Sequence, residues 1–261
     1  MRDGVASETA RRVAAHRLTV PRVVTDYGDA AADDRLTADV AKGASRRTTL
    51  LTRHLEARTM FFDRVVTGAI DRGVTQVVIA AAGYDGRAWR YAKPGVRFFE
   101  LDHPATQVDK RARVDRLELE TSHVRFVAAA FAVTDIAATL RDAGLDAAAA
   151  TGFTVEGVAI YLDKHVLAAV LHGLADVSAP GSRLAISLSI EGRGLSSSVG
   201  FRHAVGRLGE PVKTILKPEE VDTFLGENGW RRTDAGSERA RLGGLVVLTP
   251  TKEDGAPPLT S

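Results

Sequence analysis

The stretch Ala80-Ala81-Ala82-Gly83-Tyr84-Asp85-Gly86 puts small residues where a chain must turn tightly and bring its backbone against a ligand. It is a relaxed form of the G-x-G-x-x-G pattern, with alanine in the first position. Alone it is a weak signal, and two acids give it context. Asp102 closes the next apolar run, VRFFELD (96–102), where a carboxylate can accept both hydroxyls of a ribose. Glu156 sits inside a further apolar run, and a carboxylate there is costly unless something pairs with it. A small-residue turn followed by such an acid points to nucleoside binding; the plainer alternative is a structural turn and a solvated aspartate. Other chemistries are poorly served. The chain has no cysteine, which removes disulfides, thiolate nucleophiles and Cys-ligated metals together. No Ser/His/Asp grouping, no H-E-x-x-H and no compact metal-ligand spacing occurs, so no metal site is expected. The seven histidines are scattered. His203 is a candidate base within a Gly- and Ser-bearing segment, and His103 reads as a helix-start residue.

The elements that must carry these residues follow from patterning. A chain of 261 residues fits one large domain or two small ones, and α/β folds reach this size as a single unit. The net charge of +2 argues against a general nucleic-acid binder. With 28 arginines against 7 lysines, a single arginine carries little weight as a signal. No apolar run approaches the roughly 20 residues of a membrane span. The cysteine-free composition fits a reducing compartment, and Met1 to Arg22 lacks an apolar signal core while carrying Asp3 and Glu8, so a cytoplasmic protein is expected.

Residues 1–50 read as an N-terminal helical cap, with Ser7 capping a helix through His16. Leu51, Leu55, Phe62, Val65, Val66 and Ile70 recur with helical spacing, and Gly73 ends that helix. Five apolar strands are then predicted, over Val74–Ala82, Val96–Asp102, Val124–Ala130, Phe153–Tyr161 and Arg183–Ile190. Short or amphipathic helices separate them. One starts at His103-Pro104, one is capped by Thr134 or Asp135, and one is capped by Asp163. Alternation of this kind means a parallel sheet with right-handed crossovers. The segment 190–216 reads as a loop or lid over the substrate. Pro218 opens a last helix. Trp230–Thr233 and Gly244–Thr249 have no helix between them, so they should pair antiparallel at the sheet edge. The body is therefore expected over 51–250, as a seven-stranded, mostly parallel α/β sheet of class I methyltransferase type, and residues 251–261 as a tail.

Four segments, in order, carry a family resemblance. They are Arg58-Thr59-x-Phe61-Phe62-Asp63; Gln76-Val77-Val78-Ile79 running into Gly83-Tyr84-Asp85-Gly86-Arg87; Phe99-Glu100-Leu101-Asp102-x-Pro104-Ala105; and Glu156-Gly157 with Tyr161-Leu162. Over about residues 50–190 the chain resembles the leucine carboxyl methyltransferase-like family. Its bacterial branch of S-adenosyl-L-methionine-dependent O-methyltransferases, common in actinobacteria and natural-product pathways, is the nearer match. The resemblance implies S-adenosyl-L-methionine as cofactor and a small-molecule substrate methylated on a carboxyl or hydroxyl oxygen. It implies that Arg58 pairs with the cofactor carboxylate, that Ala81 and Gly83 pass close to the methionine part, and that Asp102 holds the ribose. Asp85 is counted among the cofactor-binding residues, and with Arg87 it would brace the loop as an ion pair. Glu156 and Tyr161 are the implied catalytic residues: Glu156, which also binds the cofactor, would face its amino group or the transferring methyl, and Tyr161 would line the transfer cleft. The family's third strand ends in Asp-Leu, whose acid binds the adenine amino group; here Ala130-Phe131 stands there, with Phe131 flanking the ring. Tyr27, Phe201 and His203 are further candidates for the substrate side. Two alternatives stay open: an NAD(P)-dependent oxidoreductase on the same sheet, and a cofactor-binding protein that has lost catalysis. A monomer or homodimer is expected, without membrane or nucleic-acid partners.

Overall fold

The computed structural model describes residues 8–42, 50–193, 211–233 and 244–254. Two short helices, α1 (Glu8–Arg17) and α2 (Ala30–Val40), precede the long α3 (Leu50–Asp71). One stripe of α3, with Leu55, Thr59, Phe62, Asp63, Val66 and Ile70, is buried. Gly73 and Val74 close that helix by donating to Ile70 and Ala69 carbonyls. Alternation then begins: β1 (Gln76–Ala80), α4 (Arg87–Arg90), β2 (Arg97–Asp102), α5 (Pro104–Arg116), β3 (Val124–Ala128), α6 (Ile136–Asp142), β4 (Thr151–Val155), α7 (Lys164–Asp176) and β5 (Arg183–Ser187). The chain returns through α8 (Val221–Glu227) to β6 (Trp230–Arg232) and β7 (Leu245–Pro250).

The seven strands lie in the order β3-β2-β1-β4-β5-β7-β6. β1 pairs parallel with β2 and β4, and only β7 is reversed, antiparallel to both β5 and β6. This is the seven-stranded, mostly parallel sheet with a closing antiparallel pair that the sequence predicts. Both faces of the sheet are covered. Val78, Phe99, Phe153, Ile186 and Trp230 belong to one apolar layer with α6, α7 and α8. Val77, Ile79, Phe98 and Trp89 belong to the other with α2 and α3. Successive residues of β1 thus fall into opposite layers, as the two-residue period of a strand requires.

The fourth strand is shorter than expected. It ends at Val155, because Gly157 takes a left-handed φ of 72° and breaks the extended run. Tyr161 therefore lies on a 3₁₀ turn (Ala159–Tyr161) and not on the strand. Likewise β5 stops at Ser187, and Ile190 makes only a parallel bridge to Leu216. Asp135, not Thr134, caps α6, accepting from the Ala138 amide at 2.9 Å. Ser7 and most of the proposed lid, including Phe201 and His203, lie outside the described residues. Among those described, no helix is long and apolar enough to cross a membrane.

Candidate active site

The order of the strands makes a crevice where β1 has β2 on one side and β4 on the other, and ligands of open α/β sheets bind beyond the carboxyl ends of strands at such a place. A cavity of about 500 Å³ lies there. Its wall takes Ala81–Tyr84 after β1, Asp102, His103 and Thr106 after β2, Ala129–Val133 after β3, and Glu156–Val158 after β4. Val13 and Arg17 of α1, and Arg58 of α3, add to it, as do Tyr161, Leu162, Asp163, Val166, Pro211 and Lys213.

The turn after β1 is held in an unusual conformation. Ala81 has φ of 58° and Gly83 of 49°; the left-handed region suits glycine but costs an alanine about 1–2 kcal/mol. Neighbouring bonds enforce it. The Ala82 amide donates to the Leu101 carbonyl at 2.9 Å, and the Gly83 amide to Asp102 Oδ2 at 2.5 Å. Asp102 Oδ1 takes the His103 amide at 2.7 Å. Burial pushes the Asp102 carboxyl up from its ordinary value, against these two bonds. Strain of this kind persists where the surroundings over-determine it, as at ligand sites.

A buried ionic network forms the opposite end. Arg87 is fully buried, with Nε on Asp63 at 2.7 Å, Nη1 on Glu156 Oε2 at 2.6 Å, and a further contact to Asp85. Arg58 Nε donates to Glu156 Oε1 at 3.0 Å. Arg17 reaches both Glu156, at 3.2 Å, and Asp85, at 3.3 Å. Arg22 bridges Asp63 and Asp33, and Arg90 bridges Asp33 and Asp34. Arg17, Arg22, Arg58, Arg87 and Arg90 thus face Asp33, Asp34, Asp63, Asp85 and Glu156, and the charges of the network balance. Burial pushes the Glu156 carboxyl up, but Arg87, Arg17 and Arg58 overcome this and hold it well below the carboxylate range. Asp63 is likewise pushed up by burial yet held at about 2 by Arg87 and Arg22. Gly157 leaves room for this end: a Cβ there would lie 3.1 Å from Arg58 Nη1.

The leucine carboxyl methyltransferase family model matches residues 3–175, about two-thirds of the chain. The chain belongs to the leucine carboxyl methyltransferase family. A candidate S-adenosyl-L-methionine-dependent methyltransferase of Mycobacteroides abscessus is 36% identical over 190 residues, covering 68% of this chain and 62% of the relative. One from Streptomyces coelicolor is 33% identical, covering 82% and 76%. The chain thus spans about three-fifths to three-quarters of the length of these relatives. Among solved structures, a candidate methyltransferase of Thermobifida fusca superposes with a TM-score of 0.61 at 16% identity, covering 95% of this chain and 96% of that one. A protein of Streptomyces avermitilis from a family of unknown function superposes at 0.60 with 17% identity, covering 95% and 99%. At those identities the likeness shows the class I methyltransferase fold alone.

In this leucine carboxyl methyltransferase family member, the cavity brings together Arg58, Ala81, Gly83, Asp102, Phe131, Glu156 and Tyr161. Asp85 is not part of its lining. It is buried behind the wall, where Arg87 and Arg17 hold it, as the expected brace of the loop. Tyr27 is also elsewhere, its hydroxyl donating to Asp71 at 3.0 Å. Sequence reasoning missed Arg17, Arg22, Asp33 and the role of Asp63. A signal for Asp63 existed: it falls on the apolar stripe of α3, where an unpaired acid would be costly. It also missed Glu100 and Lys110, a buried pair at 2.6 Å whose ammonium donates to the Asp85 carbonyl at 2.7 Å.

Proposed function

We propose that this protein transfers a methyl group from S-adenosyl-L-methionine to an oxygen of a small molecule. The observation that supports this most is the partition of the cavity into three chemistries in the order the cofactor presents them. The zwitterionic amino-acid end fits the neutral network: its carboxylate would meet Arg17 and Arg58, its ammonium Glu156. Arg17 Nε is buried without a hydrogen-bond partner among the described residues, an unmet donor of the kind an anion would satisfy. Asp102 would hold the ribose hydroxyls, beside the Gly83 turn. The wall Ala129–Val133, with half-buried Phe131, would face the base.

When bound, the cofactor supplies a methyl group already activated by its sulfonium. The chain's own task is then to bind, align and exclude water. Glu156 would bind the cofactor ammonium while holding Arg17 and Arg58 in place beside it. A carboxylate shared by three guanidiniums and held far below its ordinary value is a poor base, so its part is in binding and orienting the cofactor and not in proton transfer. The acceptor would enter past Tyr161, Leu162 and Lys213, where the Lys213 amide donates to the Ile160 carbonyl at 2.8 Å and ties this strap to the 3₁₀ turn. A carboxylic acid, ionised at neutral pH, needs no base there. The test is incubation with methyl-labelled cofactor and a panel of small carboxylic acids and phenols. Label released as methanol by mild alkali marks an ester, and stable label marks an ether. No transfer to any oxygen acceptor, with transfer to amines or thiols, would refute the proposal.

A further inference from the structure

Along the strand ends, from β4 through β1 and β2 to β3, the cavity wall changes from charged to polar to apolar. At the β3 end it consists of Ala129, Ala130, Phe131, Ala132 and Val133. No side chain of that run carries a hydrogen-bonding group. The two polar residues that follow do not line the cavity. Thr134 Oγ1 accepts from the Ala130 amide at 3.0 Å, and Asp135 caps α6. The Ala129 amide is spent on the Asp102 carbonyl, and the Val133 and Thr134 amides on the Ala130 carbonyl. The next polar side chains along the rim, His103 and Thr106, belong to the β2 end with Asp102. Meanwhile Phe131 packs against the core cluster, so its ring is a supported surface.

We propose that the base end of this cavity selects its ligand by shape and apolar contact, without reading the 6-amino group of adenine, so that purine nucleosides lacking that group are accepted. This rests on the cofactor reading above. A base whose ribose sits on Asp102 extends over the neighbouring β3 loop, because β2 and β3 are adjacent and parallel. The side chains it meets there are methyl groups and one ring, which favour a flat apolar body and are indifferent to its edge. A site that hydrogen-bonds an amino group penalises its absence, because the buried acceptor is left unmet; this wall has no side-chain acceptor to leave unmet.

The test is calorimetric titration of the full chain with S-adenosylhomocysteine and with its 6-deamino purine analogue, which keeps every ring nitrogen and loses only the amino group. Dissociation constants within about threefold of each other are expected, since no side-chain hydrogen bond is lost. An analogue weaker by about tenfold or more would overturn the proposal while leaving the cofactor reading intact. Binding of neither compound would sink both. In a second measurement, Ala130→Asp places an acceptor in the wall and should make the protein prefer S-adenosylhomocysteine by about tenfold. An unchanged ratio in that variant, with a cooperative melt showing it folded, would overturn the placement of the base against this loop.

Discussion

Replacing Asp63 with asparagine removes one charge from the middle of the ionic network and keeps the side chain's size. Asp63 is fully buried and accepts from Arg87 Nε at 2.7 Å and from Arg22 Nε at 2.7 Å. Its carboxyl titrates at about 2 in the fold against an ordinary 3.8. The folded value is the lower one, so the stabilisation is complete above pH 3.8 and is lost as the pH falls toward 2. The difference is worth about 2.5 kcal/mol at neutral pH. An amide in the same place also turns an N–H donor toward a guanidinium. Asp63→Asn should therefore lose about 3 kcal/mol at pH 7, a large share of the roughly 5–15 kcal/mol of a typical domain. Urea unfolding followed by tryptophan fluorescence measures this, since Trp89 and Trp230 are buried in opposite apolar layers and report on both. The gap between variant and wild type should narrow to under about 1 kcal/mol near pH 2, where the wild-type acid is itself taking up a proton. A variant as stable as the wild type at pH 7, or a gap that does not close with acid, would refute the reasoning.

Three further outcomes are expected. Asp102→Ala should weaken S-adenosylhomocysteine binding at least about tenfold by calorimetry, and cost about 1–3 kcal/mol in a melt because the Gly83 and His103 amides lose their acceptor; unchanged affinity would remove Asp102 from the ribose site. Gly157→Ala puts a methyl group 3.1 Å from Arg58 Nη1 at a φ of 72°, so it should destabilise by about 1–2 kcal/mol and weaken cofactor binding, and a neutral result in both assays would contradict the packing described. Burial pushes Glu100 from 4.5 to about 7 despite Lys110; the folded value is the higher one, so its contribution is full below pH 4.5 and lost as pH rises through 7. Between pH 5 and 8 the wild type should lose on the order of 3 kcal/mol relative to Glu100→Gln, and parallel stability curves would speak against it.

The β1 turn, Asp102 and the closing antiparallel strands were legible because each is a local pattern: an apolar run, a small-residue stop, an absent helix. The cap on α6 was legible for the same reason. The end of β4 was not, since Gly157 breaks the strand while the residues beyond it stay apolar and still resemble one. Beyond the local Asp85–Arg87 pair, the ionic network was invisible for a different reason. Its bonds join residues far apart in the chain, as Arg58 with Glu156 and Arg17 with Asp85 do, and only the fold says which of 28 arginines meet which acids. Amphipathic spacing predicted the α3 stripe but gave Asp63 no role, whereas burial between two guanidiniums makes it an anchor.

The most direct test is a crystal structure of the protein with S-adenosylhomocysteine. Its amino-acid carboxylate should lie within hydrogen-bonding distance of Arg17 or Arg58, its ribose hydroxyls on Asp102, and its base against Phe131. A ligand bound elsewhere, or bound in this cavity with the amino-acid end away from both arginines, would contradict the proposed site.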